Sequence, residues 1–95
     1  MTDLGDLHRD YRVALLRYLP RADEAASMAG YDIGRGAVTA GVGLLELVRV
    51  HQEIVAEVLE DTRPEQRIDV WRSTADFLLE VLGPFDMTQR GLLDG

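Results

Sequence analysis

The sequence predicts an all-α four-helix bundle. Apolar residues recur at three- and four-residue spacing in four separate stretches, and short breaks rich in proline or glycine divide those stretches. No segment alternates with the period of two that marks a strand. At 95 residues the chain makes one small domain, 1–95. A domain of this size buries roughly 60–65% of its unfolded surface, so it can fold alone but would gain from pairing.

The first helix is expected over residues 4–19. Leu4, Leu7, Tyr11, Leu15 and Tyr18 share one face, Asp3 or Asp6 is placed to cap, and Pro20 ends the run. Arg9, Arg12 and Arg17 lie off that stripe. A solvated face explains them, with an acidic partner as the alternative.

The second helix should begin near Ala22 or Asp23 and run to Ala40, with Ala22, Ala26, Ala29, Ile33 and Ala37 as its stripe. These side chains are small enough for another helix to approach closely. Gly30, Gly34 and Gly36 each cost about 1 kcal/mol of helix propensity against alanine, so close contact or a bend must offset them. Their Gly-x-x-x-Gly-x-Gly spacing is not the dinucleotide-binding fingerprint, and no strand precedes it.

Gly41-Val42-Gly43 then breaks the chain, and the third helix opens at Leu44 with Gly43 as N-cap and Glu46 facing the free amides. It carries Leu47, Val48, His51, Ile54, Val55, Val58 and Leu59, a stripe wide enough for a central helix touched on two sides. Thr62-Arg63-Pro64-Glu65 has the threonine-x-x-glutamate form of a capping box, with proline in the first turn. Ile68, Trp71, Ala75, Leu78 and Leu82 form the expected core face of the fourth helix. Val70, Phe77 and Val81, with Leu79, make a second apolar strip, so this helix needs two partners. Gly83-Pro84 is expected to interrupt it, dividing a bundle, 1–83, from a short amphipathic tail, 84–95.

Composition removes whole classes of chemistry. The chain has 17 acidic and 10 basic residues, every basic one arginine, a net charge of −7 and no cysteine. Thiolate, disulfide and zinc-ribbon chemistry are excluded, as are a Schiff-base lysine and a P-loop lysine. The acidic balance opposes nucleic acid and anionic membrane surfaces. No apolar run approaches the ~18 residues of a membrane span, and the N-terminus lacks the pattern of a signal peptide. A cytoplasmic protein without cofactor or metal is the expectation.

His8 and His51 are the two imidazoles, and neither has a second ligand at helical spacing. A structural role at a packing edge suits His51. The alternative is a histidine phosphotransfer domain, a four-helix bundle presenting an exposed histidine in a motif resembling His-x-Leu-Lys-Gly. The segment here reads His51-Gln52-Glu53-Ile54-Val55, with no lysine and a carboxylate that opposes a phosphoryl charge. Ser27 and Ser73 fall inside helices, and no nucleophile elbow or marked carboxylate pair exists. Catalysis is not supported.

Three helical segments and the tail carry a resemblance. Tyr11-Arg12-Val13-Ala14-Leu15-Leu16-Arg17-Tyr18-Leu19, Glu46-Leu47-Val48-Arg49-Val50-His51 and Phe77-Leu78-Leu79-Glu80-Val81-Leu82 resemble the N-terminal domain of RsbU-type phosphatases. Pro84-Phe85-Asp86-Met87-Thr88-Gln89-Arg90-Gly91 is similar to the Pro-Phe-Glu-Met-Thr-x-Arg-Gly signature of the actinobacterial branch. The resemblance implies a dimeric regulatory domain that receives a switch kinase and controls an attached phosphatase in partner-switching stress signalling. It carries none of the metal-binding aspartate motifs of a PP2C phosphatase, so these residues alone are expected to be inactive. Relatives usually run on into a helical linker where this sequence reads Leu92-Leu93-Asp94-Gly95.

Three surfaces follow as expectations. The homodimer contact should use spare apolar strips of the first and fourth helices: Leu7, Tyr11, Val70, Phe77 and Val81. Partner docking should use Glu24, Met28, Leu79 and Gly83, where methionine suits adaptable contact. Coupling to an output should run through Phe85, Met87 and Arg90.

Overall fold

A computed structural model describes residues 4–94, with side chains described for 4–89. Four helices account for it: α1 Leu4–Tyr18, α2 Glu24–Ala40, α3 Leu44–Glu60 and α4 Arg67–Asp94. The all-α bundle is as the spacing predicts, and the helix starts and stops follow local chemistry. The Asp23 carboxylate accepts from the Ala26 amide at 2.9 Å and caps α2. Gly41 ends α2 in the left-handed region at φ 76°, where a side chain would be strained. Gly43 is the N-cap of α3. Asp3 lies outside the described residues.

Contacts fix the order around the bundle. His8 meets Glu53 and Arg12 meets Glu57, so α1 and α3 run parallel. Gly30 lies against Phe77, and Gly34 against Val81 and Pro84, so α2 and α4 are parallel too. The cyclic order is α1, α2, α4, α3, and the Gly41–Gly43 connection crosses the diagonal.

Small residues on α2 set the closest helix pair. A Cβ placed on Gly34 would lie 2.0 Å from the Val81 carbonyl oxygen, and one on Gly30 would lie 2.9 Å from Phe77 Cε1. Close contact therefore explains these two glycines. Gly36 is exposed with open space beside it, so the same explanation does not extend there. Phe77 fills the centre, 5.2 Å from the Tyr11 ring centroid and 5.3 Å from that of Tyr18. Leu15, Leu47, Ile54 and Val81 complete the fully buried layer.

Three local expectations are corrected. The capping box does not form: Arg63 is the N-cap of a 3-10 turn, Pro64–Gln66, and the Thr62 hydroxyl donates back to the Val58 carbonyl at 2.6 Å. Gly83-Pro84 does not interrupt the last helix either. Pro84 sits inside α4, where the lost amide bond is offset by burial of Pro84 beside Gly34 and packing of Phe85 on the core. Residues 84–94 thus continue a bundle helix instead of forming a separate tail.

The third correction concerns which side of α4 is core. Phe77 and Val81 are fully buried with Thr74, while Ile68 is 67% exposed and Trp71 57% exposed. Of the expected core face only Leu82 packs on the core, with Ala75 and Leu78 half-buried, and of the second strip Leu79 is exposed. The glycine-lined surface of α2 accepts the Phe77 ring, and Thr74 tolerates burial because its hydroxyl donates to the Trp71 carbonyl at 2.6 Å.

Candidate interaction surface

His51, the histidine weighed above for chemistry, is engaged in the packing. His51 is 8% exposed, and its Nδ1 is hydrogen-bonded to the Tyr11 hydroxyl at 2.6 Å. A phenol buried with this one partner uses its hydrogen best as the donor, in which case Nδ1 lacks a proton and the imidazole hydrogen sits on Nε2. Burial holds His51 below the ordinary histidine value and pushes the Tyr11 hydroxyl well above the ordinary phenol value. Burial, followed by the Asp76 and Glu80 carboxylates, also raises Tyr18. His51 is recessed, with Nδ1 occupied by Tyr11, and so does not stand out from its helix as the exposed histidine that the phosphotransfer alternative requires.

Two of the α1 arginines, Arg9 and Arg12, are matched by the chain's own carboxylates. Arg9 pairs with Asp6 at 3.2 Å and lies 3.5 Å from Asp10, while Arg12 pairs with Glu57. This favours a solvated face there over an acidic partner. His8 is 3.4 Å from Glu53. No group of three or more metal-binding side chains is gathered among the described residues.

What remains open is apolar. A groove of about 600 Å³ runs between α3 and α4, lined by Val55, Ala56 and Leu59 on one wall and Trp71, Ala75, Leu78 and Leu79 on the other. His51, Gln52 and Thr74 complete the lining. None of these residues carries a fixed charge, whereas each of the other concavities described is lined by at least one aspartate or glutamate.

The expected dimer residues need correction. Leu7, Tyr11, Phe77 and Val81 are buried in the chain's own core, and Val70 is half-buried. They hold this fold together and offer no free strip to a second copy. The uncovered apolar face lies on the other side of α4. Of the expected docking residues, Glu24, Met28 and Leu79 are exposed, while Gly83 lies half-buried under Tyr31, 3.6 Å from ring carbons to a Cβ built on it. Glu24 and Met28 share a shallow concavity on α2, and Leu79 belongs to the α3/α4 groove. The structure does not gather all four into one pocket.

Sequence reasoning missed Tyr31, whose hydroxyl contacts the Met87 sulfur at 3.5 Å and bridges α2 to the late part of α4. Its place one turn beyond Met28, after Glu24, is the signal that could have found it. Phe85 packs on the core, Met87 is exposed, and the Arg90 side chain lies outside the described residues.

Among the described residues, no helix is long and apolar enough to cross a membrane. No curated protein and no solved structure matches the chain at the stringency applied. One family model does match, that of the phosphoserine phosphatase RsbU N-terminal domain, over residues 9–88. It covers more than four-fifths of the chain and describes the regulatory N-terminal domain, not the catalytic one. The chain belongs to the RsbU N-terminal domain family.

Proposed function

We propose that this domain is the input module of a partner-switching signalling protein, pairing with a second copy and docking a switch kinase to control an attached phosphatase. The observation that carries the reading is an exposed, charge-free apolar surface on a domain whose His51 is recessed and hydrogen-bonded to Tyr11. Such a molecule is suited to holding a partner, not to transforming a substrate. Docking on the exposed α2 positions Glu24 and Met28 would act next to Tyr31, which touches α4 at Gly83 and Met87. A push there reaches the late part of the longest helix, the direct route to anything attached beyond it.

Sedimentation equilibrium with and without a switch kinase tests this. The reading expects a dimer alone and a larger complex on mixing, weakened by Glu24→Arg. A monomer that forms no complex would sink it.

A further inference from the structure

We propose that two copies of this chain pair face to face through the α3/α4 groove, with Trp71 as the central anchor. The proposal rests on the reading above that the domain self-associates; what it adds is the surface.

Charge selects the occupant. Each copy carries a net charge of −7, so two copies repel unless the contact itself is free of charge. Among the concavities described, this groove is the one without charged lining residues. A basic partner would favour the acid-lined hollows elsewhere, where its charges find matches. A second copy gains most where neither side must desolvate an ion.

Shape and exposure agree. A two-fold contact puts the same patch on both sides, so each residue must tolerate its own chemistry opposite. Trp71 and Leu79, 57% and 69% exposed, line the groove with the small side chains of Ala56 and Ala75. Large residues beside small ones interdigitate on pairing. A standard interface takes about 800 Å² from each partner, roughly an eighth of this chain's 6549 Å² surface.

The groove floor adds specificity. Nδ1 of His51 is occupied by Tyr11, and among the described residues no group is bonded to Nε2. Among the described residues no fully buried side-chain nitrogen or oxygen lacks a partner, so Nε2 retains solvent contact, and the groove is where His51 reaches the surface. With Tyr11 as the donor to Nδ1, Nε2 brings the imidazole hydrogen to a trough whose other polar lining residues are Gln52 and Thr74. Covering the groove requires an acceptor, which the exposed Gln52 on the same wall can supply from the second copy.

The test uses the chain's single tryptophan. On raising concentration from sub-micromolar to several hundred micromolar, Trp71 emission should shift to the blue along the same curve as dimer formation by sedimentation. Added salt should tighten the association by screening like charges. Ala56→Glu places a carboxylate on an exposed groove wall without touching the core. It should weaken pairing at least about tenfold, while Val13→Glu on exposed α1 should not, both keeping wild-type helicity. A dimer with constant Trp71 emission and no response to Ala56→Glu would overturn the groove and leave self-association standing. A wild-type monomer throughout would overturn both.

Discussion

The Tyr11 hydroxyl and His51 Nδ1 lie 2.6 Å apart across forty positions of chain, and this single bond ties α1 to α3 inside the core. The imidazole gives the buried phenol its hydrogen-bond partner, and with the phenol as donor the ring hydrogen sits on Nε2. A histidine open to a chemical reading in the sequence is thus part of the packing.

Tyr11→Phe tests the bond directly. The ring stays, including its edge contact with Phe77, but Nδ1 is left buried without a donor. An unsatisfied buried acceptor costs about 1–3 kcal/mol. Urea denaturation should show a lower midpoint with an unchanged slope. An unaltered midpoint would mean that the bond contributes nothing to the fold.

Acid should expose the same residue through its linkage to folding. Burial lowers the His51 pKa below the 6.5 of the free side chain. Between 6.5 and the lower folded value the unfolded chain binds the extra proton, so stability rises with pH across that window. The contribution of His51 is complete above 6.5 and is lost as pH falls toward the folded value. His51→Gln keeps an acceptor for Tyr11 but cannot be protonated. The stability advantage of wild type over this variant should narrow from about pH 7.5 to about pH 5, with effects of the carboxylates common to both cancelling. A constant difference would contradict the linkage.

The three α2 glycines should respond to alanine in a fixed order. At Gly34 the new Cβ would meet the Val81 carbonyl oxygen at 2.0 Å. Backbone cannot rotate aside, so α2 and α4 must separate, and the loss should be about 2 kcal/mol or more despite the gain in helix propensity. Gly30→Ala meets a side-chain ring at 2.9 Å and should cost less. Gly36→Ala meets nothing within 4 Å and should stabilise by about 0.5–1 kcal/mol. Thermal melts should rank the variants Gly36→Ala, wild type, Gly30→Ala, Gly34→Ala, with about 4–8 °C per kcal/mol.

That order also explains how far local pattern could be read. Helices α1 to α3 were legible because Pro20, Asp23 and the Gly41–Gly43 break act within a few residues of themselves. The family, too, was legible in short runs of α1, α3 and α4. The core side of α4 was not, because both of its faces are apolar and the buried one includes Thr74. What decides between them is the fit of Phe77 and Val81 to Gly30 and Gly34, more than forty positions away. The same distant glycine explains Pro84: locally it reads as a stop, yet packing beside Gly34 keeps it within the helix. With Phe77 and Val81 on the core side of α4, these two expected dimer residues went into the core, and the open groove holds Trp71, Ala75 and Leu78, where a core face was expected.

Two aromatic residues six positions apart on α4 should therefore behave oppositely. Phe77 is fully buried and packs on Tyr11, Tyr18 and Gly30. Removing such a ring costs about 3–5 kcal/mol, a large part of the total stability of a small domain, so Phe77→Ala should be largely unfolded at 37 °C. Trp71 keeps 57% of its surface in contact with solvent, and truncating it leaves no enclosed cavity. In dilute protein, Trp71→Ala should lower stability by no more than about 1 kcal/mol. Circular dichroism and urea denaturation separate the two outcomes. A Trp71→Ala domain as damaged as Phe77→Ala would mean that the tryptophan face, not the phenylalanine face, is the core of α4.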